Sequence, residues 1–284
     1  MEVLAIVMES LMRLVREALA EDIGQEDITT NRMVPTTARC EAKLYAKQDG
    51  ILSGIDAFRT VFDCMHAEVR NWGALAPGTP FAKGDELAWF QGQTRAILTA
   101  ERTAMNFVQH LSGIATLTAR FKDAVRGLNV KICDTRKTTP GLRRLEKEAV
   151  VHGGGANHRH NLFNGIVIKE NHIAAAGGIT NAVGLAANGT HHLMKVEVEV
   201  TSLEQLDEAM AAGADVIMLD NMSIEDMREA VKRVEGKKVT LEASGNVRLD
   251  TVRTIAETGV HVISVGLLTH SAPAADMTLL IANK

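Results

Sequence analysis

Met194-Lys195-Val196-Glu197-Val198-Glu199-Val200, then an amphipathic stretch at 202–212, then Asp215-Val216-Ile217-Met218-Leu219-Asp220: the fold turns on this passage. A β-branched run is followed by apolar residues at helical spacing and then by a second β-branched run. Ser202 and Gln205 stand at capping-box spacing, and Gly213 sits where a helix C-cap belongs. Units of this length imply parallel strands joined by right-handed crossovers. The same texture holds from Gly127 onward. Runs at 130–134, 165–169, 239–244 and 260–266 alternate with helices such as 224–234 and 249–258, the latter ended by Gly259. About six such units, without a GxGxxG fingerprint, favour a closed or nearly closed α/β barrel over a doubly wound sheet.

Upstream the pattern differs. Leu11, Leu14, Val15, Ala18 and Leu19 recur at helical spacing, which predicts a helix ending near Asp22. Residues 38–54 read as strand, with Ala42, Leu44 and Ala46 alternating against mostly polar neighbours, and 55–65 as helix. A stretch dense in Pro and Gly, 75–85, precedes a strand at 86–91. Residues 94–126 read as long helical structure interrupted at Ser112-Gly113. This is the texture of a small mixed α+β unit covering 1–112. The tail, 274–284, reads as a short helix packing back on that domain, and 113–273 as the barrel.

With 46% hydrophobic and 23% charged residues, the chain can build a sizeable core. A net charge of -4 calls for neither nucleic acid nor an anionic membrane, so an anion site must come from local concentration of Lys and Arg. Cys40, Cys64 and Cys133 are dispersed, form no CxxC pair and read as reduced thiols of a reducing compartment. The opening residues lack a basic n-region and a small-residue cleavage site, and read as an amphipathic helix rather than a signal peptide. No apolar run approaches the ~18 residues of a membrane span.

Barrel enzymes carry reactive groups at the C-terminal ends of their strands. Here those ends hold Asp134-Thr135-Arg136-Lys137, Lys169, Glu197 with Glu199, Asp220-Asn221, Ser244-Gly245-Asn246 and Gly266, and a loop adds Gly153 to Arg159. Arg136, Lys137, Arg159 and Lys169 suit phosphates or carboxylates. Glu199 and Asp220 are hard oxygen donors suited to Mg2+. Turns at 244–246 and 265–267 offer backbone N–H groups to a phosphate. Each feature has an ordinary explanation. Arg136-Lys137 can be a solvated pair, Glu197 and Glu199 the face of an exposed strand, Ser244 to Asn246 a plain turn, and Asp220-Asn221 a helix N-cap. His158, His160, His191 and His192 lack zinc spacing with cysteine. Joint placement at successive strand ends argues for a site that takes a metal-carrying sugar phosphate and a second anion.

On these residues the chain resembles the quinolinate phosphoribosyltransferases, also called carboxylating nicotinate-nucleotide pyrophosphorylases. The similarity runs in order through EDIGQEDIT (21–29), AERTAMN (100–106), DTRKTTPGLR (134–143), GGGANHR (153–159), IKENH (168–172), VEVEV (196–200), MLDN (218–221), EASGN (242–246) and VGL (265–267). DTRKTTPGLR and GGGANHR are highly specific; VEVEV is weak alone. The resemblance implies a cytoplasmic enzyme of NAD biosynthesis. It would join quinolinate to phosphoribosyl pyrophosphate, giving nicotinate mononucleotide, diphosphate and CO2. It further implies a two-domain subunit, an N-terminal α/β sandwich and a C-terminal α/β barrel, in a homodimer or larger assembly with an active site shared between subunits. Arg102 would reach the neighbour's quinolinate site. Arg136, His158 and Arg159 would hold the substrate carboxylates, with Thr135 on the same loop. Lys137 and Lys169 would meet substrate and diphosphate, and Glu199 and Asp220 the ribose hydroxyls and Mg2+. Ser244, Gly245, Asn246, Val265, Gly266 and Leu267 would bind phosphate, with His270 nearby. Asn164 stands where the family often has Asp, and Glu148 where it often has Tyr, which bears on loop detail. The alternatives are a paralogous transferase using nicotinate or another base, a Schiff-base lyase acting through Lys169, and a non-catalytic anion-binding protein.

Overall fold

The computed structural model describes residues 2–283. In chain order the elements are α1 (Glu2–Ile23), α2 (Ile28–Met33), β1 (Arg39–Ala46), β2 (Gly50–Ile51), α3 (Ile55–Cys64), β3 (Arg70–Ala74), β4 (Pro80–Phe81), β5 (Glu86–Gln93) and α4 (Thr94–Ala124). There follow β6 (Lys131–Cys133), α5 (Arg143–His152), β7 (Ile166–Ile168), α6 (Glu170–Ala176), α7 (Ile179–Asn188), β8 (Val196–Val200), α8 (Leu203–Ala211) and β9 (Val216–Asp220). The last are α9 (Ile224–Val234), β10 (Thr240–Ser244), α10 (Val252–Ala256), β11 (Val262–Ser264), α11 (Leu267–His270) and β12 (Met277–Asn283). Two compact units result, one of residues 1–117, 151–154 and 272–284, the other of 118–150 and 155–271.

The first unit is built on an antiparallel sheet in the order β12-β1-β5-β3. Along β1 burial alternates residue by residue, so Cys40, Ala42, Leu44 and Ala46 face the core, as period-two patterning dictates. Phe58 and Phe62 of α3 pack on Phe90 of β5, with ring centroids 4.8 Å apart for Phe62 and Phe90. Two sequence expectations fail here. Helix α4 runs unbroken for 31 residues through Ser112-Gly113. Those small residues mark close approaches rather than a break: the Ser112 hydroxyl donates to the Ser53 carbonyl and accepts its N–H, both at 3.0 Å, and a Cβ on Gly113 would collide with the Pro273 carbonyl. The tail is a strand, not a helix. β12 pairs antiparallel with β1 from Cys40↔Asn283 to Ala46↔Met277, which buries Met277 and Leu279 on its inner face.

In the second unit, among the described residues, six parallel strands lie in the order β6-β11-β10-β9-β8-β7. From β7 to β11 each strand neighbours the next in sequence and β11 pairs with β6, the cyclic order of an α/β barrel with one seam between β6 and β7. On the free edge of β6, Ala156 forms a parallel bridge with Cys133. Helix starts follow local chemistry. The Ser202 hydroxyl accepts the Gln205 N–H at 3.3 Å, while the Gln205 side chain takes the Thr201 N–H at 2.8 Å, so the capping box closes one residue early. Gly213 and Gly259 adopt φ of 89° and 96°, as left-handed C-caps require. No disulfide forms among the three cysteines, and no helix among the described residues is long and apolar enough to cross a membrane.

Candidate active site

At the C-terminal ends of the parallel strands lies a cavity of about 770 Å³. Period-two geometry explains its walls. The registers Glu199↔Met218↔Glu242 and Asp220↔Ser244 set these residues on one sheet face, and Val167, Lys169 and Ser264 join them around the cavity. Glu197 lies on that face too, 6% exposed, so an exposed strand does not account for it. Asp220-Asn221 is no helix cap either, because Ser223 caps α9 by accepting the Asp226 N–H at 3.0 Å.

Thr135, Arg136, Lys137, His158, Arg159, Lys169, Glu199, Asp220, Ser244, Gly245, Asn246, Gly266, Leu267 and His270 all line the cavity. Two expected site residues do not. Arg102 is exposed on α4 in the first unit. Val265 is 1% exposed, and its N–H is spent on the Cys133 carbonyl at 2.9 Å, which removes it from a phosphate-binding turn. Asn221, named with Asp220 at its strand end, lines the cavity too, and so do Met218, Glu242 and Arg248, which had not been singled out for it. For Arg248 a signal existed, since it is a cation four residues past a strand end.

One end of the cavity is cationic. Burial lowers the pKa of the Arg159 guanidinium, and the positive charge of Arg136 lowers it further. The Nε–H of Arg136 is buried without a partner. Two guanidiniums forced together, one with an unspent donor, form a site for an anion. Along another wall Lys169 pairs with Glu199 at 3.1 Å. A Schiff-base lysine is instead activated by desolvation or by a neighbouring cation.

The specific loops owe their placement to a buried pair. Lys147 Nζ donates to Asp134 Oδ1 at 2.5 Å, and both side chains are fully buried. Asp134 also accepts the His158 N–H at 2.8 Å, while Lys147 donates to the His158 carbonyl at 3.0 Å. With its amide nitrogen turned inward, Asn157 donates to Asp134 at 2.7 Å. The first residue of DTRK thus ties the GGGANHR loop to the end of β6. Nothing in the sequence marked Lys147, because only the tertiary fold brings it to Asp134.

His158 differs from expectation. Its Nδ1 accepts the Arg159 N–H at 2.8 Å, which leaves Nε2 as the protonated nitrogen, donating to Glu197 Oε2 at 3.1 Å. Both nitrogens are engaged within the protein, so the ring shapes the cavity without a free donor for substrate. His158, Glu197 and Glu242 lie close enough together to suggest a metal site. The Arg159 N–H at Nδ1 argues against one, since a histidine ligating through Nε2 carries its proton on Nδ1 and donates it.

Across the cavity two turns interlock. Asn246 donates to Asn221 Oδ1 at 2.9 Å, and Asn221 donates to Asp220 Oδ2 at 3.0 Å. Asn221, Gly245 and Asn246 all have positive φ, and a Cβ on Gly245 would overlap the Asn221 amide. Gly245→Ala should therefore cost roughly 1–3 kcal/mol from backbone strain alone, read as a lowered Tm.

Residues 27–112 match the family model of the quinolinate phosphoribosyl transferase N-terminal domain, and 114–280 that of the C-terminal domain. A probable carboxylating nicotinate-nucleotide pyrophosphorylase of Bacillus subtilis is 42% identical over 95% of this chain and 92% of its own length. A chloroplastic carboxylating nicotinate-nucleotide pyrophosphorylase of Arabidopsis thaliana is 40% identical over 95% of this chain and 82% of its own. The solved nicotinate-nucleotide pyrophosphorylase of Francisella tularensis superimposes with a TM-score of 0.92 at 41% identity, covering 97% of each chain. By sequence and by fold, the chain belongs to the quinolinate phosphoribosyltransferase family.

Proposed function

We propose that this chain catalyses the reaction named for its relatives: quinolinate and phosphoribosyl pyrophosphate give nicotinate mononucleotide, diphosphate and CO2. The observation that carries this reading is the Arg136–Arg159 pair, with the unpartnered Nε–H of Arg136, in a cavity whose other wall bears Glu199 and Asp220. A dicarboxylate satisfies the first group, and the hydroxyls of a sugar phosphate the second.

The pyridine nitrogen attacks the anomeric carbon as the carbon–oxygen bond to diphosphate breaks. Lys137 and Lys169 offset charge on the departing diphosphate, and a preorganised site of this kind supplies much of the rate. The quaternised nitrogen then accepts electron density as the adjacent carboxylate leaves as CO2, and the ring carbon takes up a proton. No side-chain nucleophile is needed. Glu199 and Asp220, half-buried oxygen donors on adjoining strands, fit Mg2+ and would hold it, where it would add positive charge beside the diphosphate.

We place the enzyme in the cytoplasm as a homodimer or larger assembly in which Arg102 completes a neighbouring subunit's quinolinate site; its exposure on α4 is compatible with that role. Arg102→Ala should then regain activity when mixed with a Lys137→Ala chain, and no regain in mixed oligomers refutes the shared site. The reaction is tested by CO2 release from carboxyl-labelled quinolinate. Release that requires both phosphoribosyl pyrophosphate and Mg2+ is expected. Diphosphate release with nicotinate but none with quinolinate would overturn the substrate.

A further inference from the structure

Beneath the cationic end of the cavity lies an acidic floor that the proposed chemistry does not use. Glu197 on β8 and Glu242 on β10 are 6% and 3% exposed, and the Oε1 atom of each is buried without a partner. The donor between them is His158, whose Nε2 lies 3.1 Å from Glu197 and 3.8 Å from Glu242. That nitrogen has one proton to give, and it goes to the nearer carboxylate. Lys147, the buried ammonium close by, is committed to Asp134. Two buried carboxylates that share one ring N–H, with only the Ser264 hydroxyl besides, cannot both remain ionised at low cost.

From this arrangement, and resting on the quinolinate reading, we propose that Glu242 holds a proton as a neutral acid and thereby sets the pH range over which the cavity accepts a dicarboxylate. Glu242, unlike Glu197, lines the cavity itself. Ionised, it would add a second negative charge to a floor whose Glu197 already acts on Arg159, and compete with the substrate for the cavity's cations. Neutral, it leaves their full charge to the dianion. Glu242 is thus a positioning residue that acts through the electrostatics of the floor.

The surroundings are consistent with this. Burial, and then the charge of Glu197, push the Glu242 carboxyl up to about 7. From β6 the Cys133 thiol faces it but is pushed up to about 12 by burial and stays neutral. Glu197 draws His158 toward its charged form, while the Arg159 N–H at Nδ1 favours the neutral ring. The Ser264 hydroxyl on β11 pulls the other way but more weakly than burial and Glu197, and β9 contributes Met218, which does not titrate. Farther off lies the Asp134–Lys147 pair, already mutually compensated.

The test is the Kd of quinolinate, measured calorimetrically without the second substrate from about pH 6 to about pH 8.5, for wild type and Glu242→Gln. The wild-type Kd should rise roughly tenfold per pH unit above about 7, as expected when the ionised form does not bind. Glu242→Gln, a permanently neutral isostere, should bind as tightly as wild type near pH 6 and lose that steep rise. A wild-type slope preserved in Glu242→Gln, or a flat wild-type curve, overturns the role of Glu242 alone. Absence of quinolinate binding at any pH overturns the substrate reading, and the role with it. Should the variant not fold, infrared spectroscopy of wild type decides. The carbonyl stretch of a buried protonated carboxyl should be present near pH 6 and disappear above about pH 8; its absence at the lower pH overturns the proposal.

Discussion

Lys147→Met should lower the free energy of unfolding by about 3–5 kcal/mol, because it removes one partner of a buried ion pair and strands the other. Asp134 is fully buried and spends its oxygens on Lys147, the His158 N–H and Asn157. Without the ammonium, its charge has no counterpart in the interior. Urea denaturation of the two proteins gives the difference directly. Adding Asp134→Asn to Lys147→Met should recover a substantial part of the loss, since a neutral amide oxygen still accepts the His158 N–H. A single variant as stable as wild type would show that the pair contributes nothing, and a double variant no better than the single would show that the stranded charge is not the cause. Quinolinate-dependent turnover should fall in the single variant as well, because the same pair fastens the loop that carries Arg159.

Lys137→Ala should leave the fold intact and reduce kcat/KM by about 10²–10³, the usual loss when one preorganised charge-stabilising group is removed. The main chain at this residue is held on both sides: its N–H donates to the Thr135 hydroxyl at 3.0 Å, and its carbonyl accepts from the Thr269 hydroxyl at 2.7 Å. The side chain is exposed at the cavity and forms no part of the core. Its removal therefore separates catalysis from stability, in contrast to Lys147→Met. An unchanged Tm with wild-type turnover would refute the role, and a drop in Tm matching the lost activity would mean the variant reports on folding instead.

The parallel strands were legible because they are largely buried on both faces and therefore mostly apolar; each of the six lies within a run read from the residues. The convergence of Arg136, Lys137, Lys169, Glu199 and Asp220 followed from strand ends alone. What escaped reading depended on contacts between distant segments. β12 is apolar enough for a short helix, and only the free edge of β1 makes it a strand. The Ser112-Gly113 pair looks like a helix breaker until the Ser53 and Pro273 segments are seen against it. Lys147 and Glu242 resemble ordinary charged residues of a helix and a strand, and their burial is a property of the folded sheet.

The position of β12 has a consequence for synthesis. The first unit is discontinuous: residues 118–150 and 155–271 intervene before its sheet receives the strand beside β1. As the chain leaves the ribosome, the interrupting unit can be fully emerged while β1 still presents a bare edge of unpaired amides. The later-made unit can therefore complete its sheet before the first unit does. A chaperone that shields nascent strand edges would find its substrate in the stretch around β1, and would be released by the arrival of Met277–Asn283.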